Sequence, residues 1–318
     1  MKNLHDTDAR KYHVSALCQL FGVTKQAYYK YDENRLMQRI AQEQFAVSYI
    51  NEVRKKDPGI GGKKLWHMYR RDFKGNKPLG RDLFEDVVDK YGLKQRRRER
   101  KPRTTDSRHG LPTYPNIVKN FIPTAPNQLW VSDITYIKLW TVEDFYYFCY
   151  LSLVMDAYSE EIVGYSVGDS LDTRYPMEAL EMAMHRFDDN PDKASGLIHH
   201  SDRGCQYASM QYVSRLKENN IRISMTECGD PKDNAQAERI NNTMKNELLM
   251  GMRFTNMTAV QEAVGKAVHF YNHERPHMSI NMMTPCEASH CTGEIPKKWV
   301  SQREKYIKEA PISCIIPG

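Results

Sequence analysis

Paired cysteines are missing from this chain of 318 residues. Its seven cysteines are scattered, odd in number, and form no C-x-x-C pair. A disulfide-stabilised secreted scaffold needs regularly spaced, paired cysteines, and a cysteine-rich zinc site needs clustered ones. The cysteine pattern argues against both classes and fits reduced thiols in a cytosol.

Long apolar segments are also missing. No run of apolar residues approaches the ~20 residues that cross a bilayer. The first ten residues, Met1 to Arg10, are polar and lack the apolar core of a secretory signal peptide. We therefore expect a cytoplasmic location.

The excess of positive over negative charge is small, with a net charge of +6, but the charges are unevenly distributed along the chain. Residues 1–122 hold 27 Lys and Arg against 14 Asp and Glu, whereas the remaining 196 residues hold 19 against 26. A basic surface can serve solubility alone. The segregation instead favours a polyanion, such as nucleic acid, bound by the front half.

Residues 1–35 carry the pattern of two short helices around a turn. Val14, Leu17 and Leu20 repeat at helical spacing before Gly22, which can adopt the left-handed conformation that ends a helix. Thr24 can then cap a second helix. The pattern predicts a helix-turn-helix-like segment that binds DNA, although other helical hairpins share it. In the second helix we expect DNA contacts from Lys25, Gln26 and Tyr29.

Residues 36–93 predict a second helical module. Helical patterns over 36–56, 63–73 and 79–91 are separated by glycine and proline, which favours either a small DNA-binding module or a structural spacer.

Residues 94–122 then form a predicted basic linker, with seven Lys or Arg between positions 94 and 103. Such a run can be a solvated surface, but here it favours contact with a phosphate backbone. The expected contacts are Arg96, Arg97, Arg98, Arg100 and Lys101.

From Asn127 onwards the pattern changes to strands rich in β-branched and aromatic residues. Strands are predicted at 128–140, 145–158, 161–168, 196–202 and 221–225, and helices at 173–187, 209–220 and 233–250. The order β-β-β-α-β-α-β-α is that of a ribonuclease-H-like mixed sheet. We therefore predict an α/β catalytic core over residues 123–290, preceded by the helical modules and followed by a tail over 291–318.

Three acidic residues occupy related places in this order. Asp133 lies midway along the first strand, Asp202 ends the fourth, and Glu238 lies on the helix after the fifth. In this fold the first and fourth strands are neighbours, so the three carboxylates can converge. A buried cluster of this kind repels itself and is expected either to protonate or to bind cations, and oxygen ligands favour Mg²⁺ or Mn²⁺. Two ions about 3.5–4 Å apart suit in-line attack at phosphorus.

The spacing of these acids completes a family pattern. Thirty-five residues separate Asp202 from Glu238, a D,D-35-E arrangement. Around it stand W-V-S-D-I-T-Y-I, H-H-S-D-R-G-C-Q-Y, D-N-A-Q-A-E and, from residue 271, Y-N-H-E-R-P-H. With these motifs the chain resembles the retroviral-integrase-like transposases of bacterial insertion sequences. It looks most like the second-reading-frame product of a two-frame element.

The resemblance implies a DNA transposase that nicks the 3′ end of an element and transfers the strand, with two divalent ions held by the three carboxylates. It implies bacterial cytoplasm, with action at the nucleoid. Double-stranded DNA, further copies of this chain and a first-frame protein, fused or separate, are the implied partners. A basic residue at the place of Lys245 contacts the DNA end in the family, and Asn241 nearby is a second candidate. The chain departs from the family at Arg239 to Asn242, where a serine and aromatic residues are expected.

Other interpretations of these residues stay open. A ribonuclease H or resolvase-type nuclease shares the fold, but should lack the basic helical front and the 35-residue spacing. An inactive DNA-binding descendant would have lost carboxylates, and all three are present. For His199 and His200 we expect one packed residue and one facing solvent or DNA, with a role in proton transfer as the alternative.

Overall fold

The structure is a computed structural model that describes residues 13–30, 33–75, 78–95, 110–227, 234–298, 300 and 302–309. Contacts among these residues divide the chain into two compact units, which meet between Tyr49 and Ile50. The division falls within the module predicted over residues 36–93. None of the described helices is both long and apolar enough to span a bilayer.

The first unit contains two short helices around a tight turn. Helix α1 (Val14–Leu20) is followed by α2 (Lys25–Lys30), and α3 (Glu33–Lys56) begins in this unit. Gly22 adopts a φ of +63°, which only glycine accepts without strain. The Thr24 hydroxyl accepts a hydrogen bond from the Ala27 amide at 3.1 Å and so caps α2. Both sequence predictions for this turn are confirmed.

Two further helices open the second unit, α4 (Gly62–Asp72) and α5 (Arg81–Lys90). They pack through Tyr69 and Phe84, whose ring centroids lie 5.1 Å apart. The Trp66 indole donates to the Leu79 carbonyl at 3.2 Å and fixes the connection between the helices. The helical periodicity of this region therefore predicted its secondary structure correctly.

The region predicted as the core, residues 123–290, contains a mixed sheet of five strands in the order β3-β2-β1-β4-β5. The strands are β1 (Leu129–Trp140), β2 (Tyr146–Asp156), β3 (Ile162–Gly168), β4 (Ile198–Ser201) and β5 (Arg222–Met225). The first three form an antiparallel meander, whereas β4 pairs parallel to β1 and to β5. This is the predicted ribonuclease-H-like arrangement.

Several helices pack against the sheet. The α-helices that the structure describes from residue 174 onwards are α6 (Arg174–Met184), α7 (Cys205–Ala208), α8 (Met210–Glu218), α9 (Ala235–Thr243), α10 (Met257–His273), α11 (Pro285–Ala288) and α12 (Gln302–Glu309). On one face, residues of α6 and α8 pack with Trp130 of β1 and Val154 of β2 in the main core. Helix α9 lies against β1 and β2, and α10 against β3. Residues Leu151 to Asp156 of β2 are consequently buried on both faces.

Gly164 marks the closest approach of a helix to the sheet. A Cβ atom on this residue of β3 would lie 2.0 Å from the backbone carbonyl oxygen of Ala179 in α6. Only glycine therefore fits here, and its absence of a side chain sets how closely α6 packs on the sheet.

Candidate active site

Asp133 projects from the middle of β1, opposite Leu153 of β2, and is half-buried. Strand β4 pairs with β1 only at Leu129 to Val131, so β4 has ended before it reaches Asp133. One carboxylate oxygen of Asp133 accepts a hydrogen bond of 2.8 Å from the Asn241 side-chain amide. This contact from α9 fixes the orientation of the carboxylate.

Asp202 directly follows the last residue of β4 and is also half-buried. Its carboxylate turns back to accept a hydrogen bond of 3.0 Å from the Gly204 amide. The parallel pairing of β4 with β1 places this strand end beside the segment that carries Asp133. The predicted neighbourhood of the first and fourth strands is confirmed.

The charges of Asp133 and Asp202 both affect the pKa of Tyr207. Its side chain is buried, and its pKa is raised well above the ordinary value by burial, by Tyr212, and by the charges of Asp133 and Asp202. The charges of both carboxylates thus act on the same buried phenol. Asp133 and Asp202 therefore share one polar region.

Helix α9 carries Glu238 along β1. At the helix start, the Asn234 side chain donates to the Ser132 carbonyl at 3.1 Å, and seven residues later Asn241 donates to Asp133. Glu238 lies between these two anchors, four residues after one and three before the other. Residues at these spacings project from the same side of a helix. The half-buried Glu238 is therefore presented on the side of α9 that faces β1 near Asp133.

The chemistry of these side chains suits a hard divalent cation, because all three supply carboxylate oxygens. Among the residues that the structure describes, however, no three His, Cys, Asp or Glu side chains are already grouped closely enough to hold a metal ion. The Asn241 amide also occupies one oxygen of Asp133. The donor types fit Mg²⁺ or Mn²⁺.

Lys245 lies beyond a change in helical pitch. The helix predicted over residues 233–250 is α-helical to Thr243 and then forms a π-helical turn, Met244–Leu248. The Lys245 ammonium lies 3.8 Å from the centroid of the Tyr136 ring, three residues along β1 from Asp133. The Lys245 side chain thus lies beside β1, three residues beyond Asp133, the first carboxylate of the predicted site.

The other residues predicted to contact DNA fall into three groups: exposed, buried, and outside the described residues. Lys25, Gln26 and Tyr29 are exposed on α2 in the first unit. Asn241 is buried against Asp133. The basic set Arg96, Arg97, Arg98, Arg100 and Lys101 lies outside the described residues. Their contacts with DNA all stay predictions.

The expectation for the two histidines of β4 is wrong in part, because both are buried. His199 Nε2 lies 2.8 Å from the Ser132 hydroxyl and 3.0 Å from the Tyr212 hydroxyl, and His200 Nδ1 lies 2.9 Å from the Ser224 hydroxyl. Burial, together with the charge of His200, lowers the pKa of His199 to about 3. Neither ring faces solvent, because β4 is a central strand with β1 and β5 on its two sides.

Several supporting residues received no role from the sequence. Tyr207 and Asn234 stand inside the motifs around the second and third acids, which is the signal that could have marked them. The Arg275 guanidinium contacts Glu247 of the π-helical turn at 2.8 Å and the buried Asp57 at 3.6 Å. Arg275 belongs to the Y-N-H-E-R-P-H motif, which therefore anchors the end of the helix that bears Glu238.

Comparison with known proteins places this core in a wider group. Residues 123–231 match the sequence model of a family described as integrase core domain, and residues 219–285 match a second model of the same description. The insertion element IS600 uncharacterized 31 kDa protein of Shigella sonnei is 32% identical over 282 residues, 85% of this chain and 96% of that protein. The transposase for insertion sequence element IS629 of Shigella sonnei is 29% identical over 294 residues, 91% of this chain and 95% of that protein.

Proposed function

This chain belongs to the insertion-sequence transposases that carry an integrase core domain, and from this premise we propose that it nicks the 3′ ends of an element and joins them to target DNA. Asp133, Asp202 and Glu238 form the proposed catalytic set. Family membership supports DNA transposition as the general function. The particular reaction and its residues are the proposal.

The proposal rests on one observation: side-chain hydrogen bonds join α9 to β1 both before and after Glu238. The Asn234 contact to Ser132 and the Asn241 contact to Asp133 hold the helix in this register. Because β4 runs parallel to β1, Asp202 at the end of β4 lies near the part of β1 that carries Asp133, on the edge of β1 opposite β2. This arrangement supports a common site for three carboxylates that are distant in sequence.

The three carboxylates would hold two divalent ions, Mg²⁺ or Mn²⁺, which when bound activate the attacking oxygen and stabilise the leaving one. Asn241 orients Asp133 for this task through its hydrogen bond. The buried anchor of Arg275 on Glu247 holds the end of the same helix in place. Lys245 would contact a phosphate of the DNA end.

The DNA and protein partners are part of the same proposal. The exposed residues of α2 and the basic linker would hold the element ends, and joining two ends calls for at least two copies of the chain. A first-frame protein, fused or separate, would supply further DNA recognition. Action on chromosomal DNA in a bacterial cytoplasm follows from these partners.

The test is a nicking and strand-transfer assay with a duplex that bears the element's terminal sequence. Asp202→Asn and Glu238→Gln should each lower both reactions by more than about 100-fold, because even the outer partners of metal ligands are worth ~10–100-fold. The matched control is Glu262→Gln, an exposed carboxylate on α10, which should keep full activity. All variants should still bind the duplex in a gel-shift experiment.

Undiminished nicking or joining by Asp202→Asn would refute the proposed site. Cleavage by the wild-type protein without any joining, above all of an RNA–DNA hybrid, would instead favour the nuclease alternative. Both outcomes can be read from the same gel.

A further inference from the structure

The hairpin of β1 and β2 carries a concentration of exposed aromatic side chains. Beyond the part of the sheet that the helices cover, Tyr136, Tyr146, Tyr147 and Phe148 are between 36% and 51% exposed. An exposed apolar patch on a water-soluble domain commonly marks a binding surface. Its position on the strand that bears Asp133 makes the identity of its ligand relevant to the reaction.

Strand alternation sorts the hairpin into two faces. Ile137, Leu139 and Cys149 point to one face and are buried. Five side chains of the opposite face form what we call the hairpin surface: Tyr136, Lys138 and Trp140 of β1, with Tyr146 and Phe148 of β2. Their rings pack edge to face or tilted, with centroids 4.9 Å apart for Tyr136 and Phe148 and 5.1 Å apart for Trp140 and Tyr146.

Cations from three parts of the chain lie over these rings. The Lys138 ammonium is 4.0 Å from the centroid of Tyr146, and the Lys245 ammonium is 3.8 Å from that of Tyr136. The Arg253 guanidinium is 4.4 Å from the centroid of the Trp140 ring. The acid facing this group is Asp144, which forms an ion pair with Arg253. The surface therefore combines aromatic faces with a net positive charge.

The location of Arg253 is fixed by the backbone. The Trp140 amide donates to the Phe254 carbonyl at 2.7 Å, and Phe254 forms a parallel bridge with Leu139. This short pairing uses the edge of β1 that β4 leaves open. The three cations are thus placed by the fold along one strand rather than by flexible side chains alone.

The hairpin surface begins close to the catalytic carboxylates. A strand advances about 3.3 Å per residue, so Tyr136 lies about 10 Å and Trp140 about 23 Å along β1 from Asp133. In a stacked DNA strand, each nucleotide rises about 3.4 Å along the helix axis. The surface therefore spans the distance of roughly three to seven nucleotides from a phosphate held at the carboxylates.

We propose that the hairpin surface binds unpaired bases of the DNA strand about three to seven nucleotides from the scissile phosphate, and this rests on the proposed function. Bases stack on the aromatic faces as Lys138, Lys245 and Arg253 turn from the rings to the phosphates between the bases. Aromatic side chains interleaved with cations are what single-stranded DNA recognises. A protein partner fits less well, because lysine is depleted from protein–protein interfaces and two of these three cations are lysines.

The test uses the full-length chain and a duplex of the element end with its terminal seven nucleotides unpaired and a 2-aminopurine at the fourth. Stacking on an aromatic ring quenches this fluorescent base, so wild-type protein should quench it without divalent metal. Tyr146→Ala should weaken binding of this probe by roughly 5- to 150-fold, the range for loss of one stacked base. Lys138→Gln should lower the salt dependence of log Kd by about one unit.

Tyr147→Ala is the matched control, because Tyr147 is a similarly exposed residue of the same strand on the opposite face. It should keep quenching and affinity, and all variants should show the wild-type circular dichroism spectrum. A fully paired duplex of the same sequence should be bound almost equally by wild type and Tyr146→Ala. Equal losses from Tyr146→Ala and Tyr147→Ala, or no loss from either, would overturn the proposal.

Two further outcomes separate the possible errors. If Tyr146→Ala dissociates an oligomer in sedimentation analysis while quenching is unchanged, the surface is an interface between copies of the chain and the proposal is overturned. If Asp202→Asn stays catalytically active while quenching still depends on Tyr146, the proposed active site fails and the base-binding surface stands.

Discussion

Replacing His199 with glutamine should make the chain less sensitive to mild acid. His199 is buried in β4, within hydrogen-bonding distance of the Ser132 and Tyr212 hydroxyls. Burial first, and the charge of His200 second, lower its pKa from 6.5 to about 3. The folded chain therefore keeps this imidazole neutral under conditions in which the unfolded chain protonates it.

The magnitude follows from linkage between protonation and folding. Because the folded pKa is lowered, the contribution of His199 to stability is complete above pH 6.5 and is lost as the pH falls towards 3. At pH 5.5 the unfolded imidazole is about nine-tenths protonated, which costs the folded state about 1.4 kcal/mol relative to pH 7.5. This figure depends on the unfolded pKa alone, since the folded pKa lies far below the window.

Urea denaturation at pH 7.5 and pH 5.5 measures the effect. Glutamine can still place a polar atom near both hydroxyls but does not titrate, so the loss of unfolding free energy between the two pH values should be about 1.4 kcal/mol smaller in His199→Gln than in the wild type. His269→Gln, at an exposed position of α10, should behave as the wild type. Equal losses in wild type and His199→Gln would refute the reasoning.

Two other replacements test the packing around the site. Arg275→Met should lower the unfolding free energy by about 3–5 kcal/mol, because it removes a buried partner of Asp57 and Glu247 and leaves Lys64 as the remaining cation beside them. Adding Asp57→Asn should restore much of that loss in urea denaturation, and strictly additive losses would contradict the interpretation. Gly164→Ala should cost at least about 1–3 kcal/mol in the same assay, because its new Cβ would lie 2.0 Å from a carbonyl of α6. Gly265→Ala on α10 is the control and should cost less, because its new Cβ would lie 3.4 Å from a side-chain hydroxyl, that of Tyr165.

Much of the architecture could be predicted from local patterns. The alternation in β1, the apolar run in β2 and the helical spacing of α6 and α8 gave each element its type and nearly its bounds. Gly22 and Thr24 were identified from the backbone freedom of glycine and the capping ability of a hydroxyl. These properties belong to single residues and their near neighbours, so they can be inferred without knowledge of the fold.

The histidines of β4 show where this reasoning ends. A strand-end pair of polar residues suggested one exposed ring, but β4 lies between β1 and β5 and both rings found hydroxyl partners inside the protein. Asn241 illustrates the same limit, because its position two turns from Asn234 indicates a helix face but not that Asp133 receives its amide. Partners of this kind come from strands that are distant in sequence.

By itself, the sequence determined the order of the elements, the 35-residue spacing of the last two acids and the placement of each acid on a strand, a strand end or a helix. Only the tertiary structure decided that Asn234 and Asn241 fasten Glu238 along β1, and that β1 continues beyond the end of β4. That difference in strand length leaves the edge of β1 open from Asp133 towards Trp140, and along this part of β1 Lys245 and Arg253 lie over aromatic rings. The spacing of residues along a strand or helix determines which face a side chain lies on. Which residues it contacts depends on where the neighbouring strand ends.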